Sequence, residues 1–92
     1  MSVTIILRGS IAVHVKLSRY DVEIGDDTIL REVLQTLVGK FTEIQHFWST
    51  PDLIDRDTLV LLNETDIGLT GGLDSKVSQG DIIIILPLVH GG

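Results

Sequence analysis

Five consecutive apolar residues, Ile82-Ile83-Ile84-Ile85-Leu86, constrain the fold of this chain more than any other feature. They read as a strand entered through a tight turn at Gln79-Gly80-Asp81. A strand that is apolar at every position offers no polar face to water. It is either central and covered on both faces, or covered on one face and adhesive on the other. Ninety-two residues hold one domain and one core, so every other element must be arranged around this strand.

Upstream, Val3, Ile5 and Leu7 alternate with Thr4, Ile6 and Arg8, the period of a strand with one apolar face. After Gly9-Ser10, the alternation of Val13, Val15 and Leu17 with His14, Lys16 and Ser18 predicts a second strand, with Val22 and Ile24 as its continuation or an edge. Asp27 or Thr28 is placed to cap a helix. Leu30, Val33, Leu34, Leu37 and Val38 then follow at spacings of three and four, the stripe of an amphipathic helix, and Gly39 sits where it would stop.

Residues 40–57 carry no sustained period and read as a long connection with one short helical turn, its aromatics Phe41, Phe47 and Trp48 tucked under the sheet. Leu59-Val60-Leu61-Leu62 is a further strand and Asn63-Glu64-Thr65-Asp66 a turn. A short strand over residues 67–69, a Gly71-Gly72 loop and a helical turn over residues 73–77 complete the chain before the last strand.

One helix covers one face of a single sheet, not two. The order therefore predicts an α+β fold, a mixed sheet of four to five strands with one main helix on one face. A central last strand lies most simply beside the first in parallel, which is the β-grasp arrangement. The domain is expected over residues 1–88, with a flexible Gly-Gly tail over residues 89–92.

Composition narrows the function. The net charge of −6 and the scatter of the seven basic residues argue against direct nucleic-acid binding. No apolar run approaches the roughly 20 residues that span a bilayer. The basic start and long apolar region of a signal peptide are lacking, so no membrane association is expected and a cytoplasmic location is the default. The absence of cysteine excludes a thiolate nucleophile, a disulfide scaffold and a cysteine metal site. No metal site is expected: His14 and His46 have no carboxylate at ligand spacing, and Asp52, Asp55 and Asp57 read as a solvated loop. With no thiol, the remaining handle for acyl or sulfur chemistry is the C-terminal carboxylate. His90-Gly91-Gly92 presents it unhindered, because glycine threads a narrow channel that a side chain would block.

The last third of the chain carries a further set of motifs. These are Leu59-Val60-Leu61-Leu62-Asn63-Glu64-Thr65-Asp66, then Gly71-Gly72-Leu73-Asp74, then Gly80-Asp81 before the apolar strand, then His90-Gly91-Gly92. In this order they resemble the ubiquitin-like sulfur carriers, and most of all the ubiquitin-related modifier proteins. The small subunit of molybdopterin synthase and the thiamine sulfur carrier are similar in the tail. Detailed similarity covers residues 58–92. The glycine-rich, acidic first hairpin of many ubiquitin-related modifiers is not seen, and Pro87 before the tail is more like the molybdopterin synthase subunits.

The resemblance implies a carrier or substrate protein rather than an enzyme, with no bound cofactor. A separate E1-like enzyme would use ATP to adenylate Gly92. A persulfide sulfur donor would convert the adenylate to a thiocarboxylate for a transfer RNA thiolation enzyme, or a lysine amine of a target protein would take the acyl group as an isopeptide bond. Gly91 would give clearance in the activating enzyme, and His90 either contacts that site or is simply solvated. Leu88 and Val89, past the strand, are expected to dock on the partner. Lys16, Lys40 and Lys76 are the only side-chain amines, hence the acceptors if the chain modifies itself, and otherwise ordinary surface charges. The competing functions are the small subunit of molybdopterin synthase and a plain β-grasp binding module with an incidental tail.

Overall fold

The computed structural model describes residues 1–13, 15 and 18–88. Strand β1 (Ser2–Leu7) buries Val3, Ile5 and Leu7 on one face, as its alternation requires. Its antiparallel partner is β2 (Arg19–Glu23), in register from Ser2↔Glu23 to Ile6↔Arg19. The last strand, β5 (Ile82–Pro87), lies between β1 and β3 (Thr58–Leu62), parallel to the first and antiparallel to the second. With β4 (Thr65–Asp66) the five-stranded sheet runs in the order β2-β1-β5-β3-β4. The expected central last strand and its parallel pairing with the first are both present.

Helix α1 (Leu30–Lys40) crosses one face of this sheet and buries Leu30, Val33, Leu34, Leu37 and Val38. They join Val3, Ile5, Tyr20, Val22, Val60, Ile83 and Ile85 in one aliphatic core. Each such side chain contributes about 1.5–3 kcal/mol when fully buried. The predicted caps are not used. Ile29 occupies the N-cap position, and its N–H donates to Glu32 Oε1 at 3.0 Å, half of a capping box. Thr28 Oγ1 instead closes the preceding turn on Gly25, and Asp27 takes a left-handed φ of 64°. Nor does Gly39 stop the helix: it continues to Lys40 and ends where Phe41 turns extended.

The first hairpin departs from the expected pattern. Gly9 enters a left-handed turn at φ 75°, with Leu86 and Pro87 against the place a Cβ would fill. The chain then winds into a 3-10 segment, Gly9–Val13, and of the predicted second strand the described residues Val13, Val15 and Ser18 are not in a strand. The strand forms later, where Arg19-Tyr20-Asp21-Val22-Glu23 alternates strictly and turns Tyr20 and Val22 inward. His14, Lys16 and Leu17 lie outside the described residues.

Residues 40–57 form two helices, α2 (Thr42–Gln45) and α3 (Pro51–Asp57), where the sequence predicts one turn. A Thr-Pro pair starts the second: Thr50 Oγ1 accepts from Leu53 N at 3.3 Å, and Pro51 needs no N–H in the first turn. Trp48 is buried and Phe41 packs edge-on to Tyr20 with centroids 4.5 Å apart, but Phe47 is exposed, against the expectation. Residues 67–69 form a 3-10 turn instead of a short strand, because Asp66 Oδ1 accepts from Gly68 N at 2.8 Å and caps it.

Candidate functional site: the open sheet face and the root of the tail

The two faces of β5 are unlike. Ile83 and Ile85 are fully buried beneath α1, while Ile82, Ile84 and Leu86 project from the opposite face, which no helix among the described residues covers. Ile82 and Leu86 are 43% and 37% exposed. Paired residues of adjacent strands share a face, and the register aligns Ile6, Ile84 and Leu61 across the three central strands. Leu59 lies beside Leu86 in the next row. The all-apolar last strand thus takes the second of the two arrangements its sequence allows, with one face in the core and the other an apolar patch of the kind that marks interaction sites.

The motif residues build the rim of that patch. Asn63 and Glu64 take left-handed φ values of 49° and 72° in the two-residue turn between β3 and β4. Asn63 Nδ2 donates to Asp81 Oδ1 at 2.9 Å, and Asn63 Oδ1 accepts from Ile82 N at 2.9 Å. Asp81 Oδ2 in turn accepts from Ser78 N at 2.7 Å. The turn before β5 and the turn after β3 are thereby tied together. Ile6, Arg8, Asn63, Glu64, Ile82 and Ile84 line an open cleft of about 370 Å³. Periodicity and turn signals give Asn63 and Asp81 as turn residues but not as partners across the rim. The one sequence signal for the pair is an Asn after one apolar strand and a Gly-Asp before the next.

The C-terminal tail leaves from the far end of the same strand. Leu88 is 48% exposed, and its N–H donates to the Asp57 carbonyl at 3.3 Å, which holds the root of the tail against the end of α3. Val89, His90, Gly91 and Gly92 lie outside the described residues. Of the lysines, Lys40 is exposed at the end of α1 and Lys76 Nζ donates to Asp27 Oδ1 at 2.8 Å. The structure does not bring Lys76 together with the root of the tail: it lies beside Met1 and Gln79, before β5 begins.

The acidic residues of the connection are partly absorbed by arginine. Asp52 accepts from Arg31 Nη1 at 3.0 Å and Asp57 from Arg56 Nε at 2.7 Å. The hydrogen bond from Arg31 to Asp52, reinforced by its charge, raises the Arg31 guanidinium above its ordinary pKa. No cluster of three or more His, Cys, Asp or Glu able to hold a metal occurs among the described residues. No helix among them is long and apolar enough to cross a membrane.

A sheet of this order, with β1 and β5 parallel at its centre and one long helix across one face, is the ubiquitin-like β-grasp. The family described as Urm1 (Ubiquitin related modifier) matches residues 3–92, nearly the whole sequence, and the chain belongs to that family. It is 44% identical over 41 residues to the ubiquitin-related modifier 1 homolog of Drosophila willistoni, covering 45% of this chain and 41% of the relative. It is 36% identical over 44 residues to the sulfur carrier protein CysO of Mycobacterium tuberculosis, covering 48% and 47%. The chain thus spans less than half the length of the curated relatives it matches. The crystal structure of SAMP1 from Haloferax volcanii superposes over 100% of both chains with a TM-score of 0.76 and 22% identity, a likeness of fold.

Proposed function

We propose that this chain is a sulfur carrier and ubiquitin-like protein modifier whose C-terminal Gly92 carboxylate is activated by a separate E1-like enzyme. The observation that carries the reading is the ubiquitin-related modifier match, which runs through His90-Gly91-Gly92 to residue 92. The open apolar face gives a second support. It lies on β5, the strand that leads into the tail, so a partner seated on that face would hold the tail at a fixed offset. A rigid scaffold positioning a small reactive segment is a common division of labour.

The chemistry follows from the carboxylate. A carboxylate oxygen of Gly92 attacks the α-phosphorus of ATP; pyrophosphate leaves and an acyl-adenylate forms. A persulfide donor attacks the acyl carbon and expels AMP, giving an acyl disulfide. A second thiol then cleaves the sulfur–sulfur bond and releases the thiocarboxylate, the donor leaving as a disulfide with that thiol. The thiocarboxylate serves a transfer RNA thiolation enzyme. Alternatively, a lysine amine of a target protein takes the activated acyl group as an isopeptide. The chain contributes the substrate group and the docking surface, and the activating enzyme binds the ATP.

The test is the intact mass of the chain after incubation with host cytosolic extract, ATP and a sulfur donor, beside a version lacking Gly91 and Gly92. Replacement of one oxygen by sulfur in the full chain alone supports the reading. An unchanged mass in an extract competent for thiolation overturns it in favour of a binding module. Recovery of the thiolated chain in a stable complex with a larger molybdopterin-forming subunit would redirect it to the molybdopterin synthase alternative.

A further inference from the structure

Beyond the open sheet face, a second apolar concavity lies at the root of the tail. Ser10, Ile11, Phe47, Trp48, Asp57, Pro87 and Leu88 line it, and its volume is about 420 Å³. Consecutive residues after α2 divide: Trp48 turns into the core at 5% exposure, and Phe47 turns outward at 43%, their ring centroids 6.0 Å apart. Leu88 stands on the lining next to Pro87, about half exposed. The one carboxylate on the lining, Asp57, is engaged by Arg56 through both oxygens, at 2.7 and 3.2 Å. A cation from outside would have to displace that guanidinium, so the cleft favours an apolar visitor.

We infer that this cleft is a second docking site for the activating enzyme, taking one or two apolar side chains from the mouth of the channel that threads the tail. The inference rests on the reading of Gly92 as the activated group. Residues 89–92 reach at most about 14 Å from Leu88 when fully extended. An enzyme that draws Gly92 into an ATP site must therefore bring its channel mouth against the tail root, where Phe47 and Leu88 stand. The cleft volume accommodates a large aliphatic or aromatic side chain. Seated there, such a group lies against Phe47, Pro87 and Leu88, and aromatic side chains are among those on which interface contacts concentrate their energy. The open sheet face fixes the body of the domain, and the cleft fixes the angle at which the tail enters.

The experiment isolates activation from sulfur transfer. The chain is incubated at a series of concentrations with ATP and desalted host cytosolic extract, without a sulfur donor and with hydroxylamine. Hydroxylamine attacks the acyl-adenylate, expels AMP and leaves a Gly92 hydroxamate, read by intact mass. Phe47→Ala should raise the half-saturating concentration about tenfold with the maximal rate unchanged. Phe47→Leu should restore most of the loss, and Leu88→Ser should reproduce it from the other wall. Circular dichroism and thermal unfolding confirm that each variant is folded, and Leu88→Ser carries the test if Phe47→Ala is not. Wild-type half-saturation in a folded Phe47→Ala and in Leu88→Ser overturns the inference while leaving the proposed function intact. Failure of the wild-type chain to form any hydroxamate, in an extract that activates a known carrier, overturns the proposed function itself.

Discussion

Ile83 and Ile84 are chain neighbours on the central strand and stand on opposite sides of the sheet. Ile83 is fully buried beneath α1, and Ile84 lies on the open face between Ile6 and Leu61. Identical side chains one residue apart therefore serve different ends. Ile83→Ala should cost about 2–5 kcal/mol, the usual toll of an aliphatic truncation in a packed core. Ile84→Asp should leave a folded domain that is no longer activated at Gly92. Urea unfolding of the first and hydroxamate formation by the second check the pair. Wild-type activation by Ile84→Asp would remove the open face from the docking surface.

The turn lock makes a separate prediction. Asn63 both donates to Asp81 and accepts from the N–H of Ile82, and it does so at a left-handed φ of 49°. Asn63→Gly keeps the conformation and loses the two bonds, for about 1–3 kcal/mol at the usual 0.5–1.5 per bond. Asn63→Ala adds the cost of a Cβ in the left-handed region, about 1–2 kcal/mol more. The order wild type, glycine, alanine in chemical-denaturation midpoints checks both terms. A glycine variant less stable than the alanine one would mean that backbone conformation has no part in the choice of Asn63.

How far these features are legible in the sequence depends on whether their cause is local. The helix stripe from Leu30 to Val38 is set by periodicity and the last strand by an unbroken apolar run behind a turn signal, and the structure has both. The burial parity of β5 is not legible, because five apolar residues in a row carry no alternation. Only the register against β1 and β3 decides it. The early hairpin misleads because Val13, Val15 and Leu17 alternate like a strand. The turn at Gly9, with Leu86 and Pro87 packed against it, leads into a 3-10 segment that ends at Val13, and Val15 lies in a bend. Phe47 misleads for a related reason: aromatic content predicts burial, but a helix end presents adjacent residues to opposite sides. The start of α3, by contrast, has a local cause in Thr50-Pro51, a cap and first-turn pair that the absence of a sustained period obscures.

Arg31 ties α1 to α3 through Asp52 at 3.0 Å and to the 3-10 turn Gly72–Asp74 through Asp74 at 3.8 Å, all at the surface. Its guanidinium is raised from an already high value by the Asp52 hydrogen bond first and the Asp52 charge second. A raised basic pKa stabilises the fold below the unfolded value and is lost only as pH climbs through the folded one. Arginine's share therefore does not titrate in the neutral range. Salt is the effective variable. Arg31→Leu should lower the melting temperature slightly in dilute buffer, and the gap to wild type should close as sodium chloride is added. A gap independent of salt would assign the effect to packing of the arginine stem.

Conjugation through Gly92 should leave a distinctive trace. No Lys or Arg follows Lys76, so trypsin leaves the whole of residues 77–92 on any modified lysine rather than a short Gly-Gly remnant. A search for the long branch should reveal conjugates that a Gly-Gly search misses. Modification of a second copy of this chain should favour Lys40 over Lys76. Lys40 has no ion-pair partner among the described residues, whereas attack by Lys76 requires release of its Nζ from Asp27 at 2.8 Å. Peptide mapping of self-modified chains distinguishes the two sites. Asp27→Asn should raise the share at Lys76, and a branch found mainly at Lys76 in the wild-type chain would show that the acceptor is selected by the conjugating enzyme and not by the freedom of its amine.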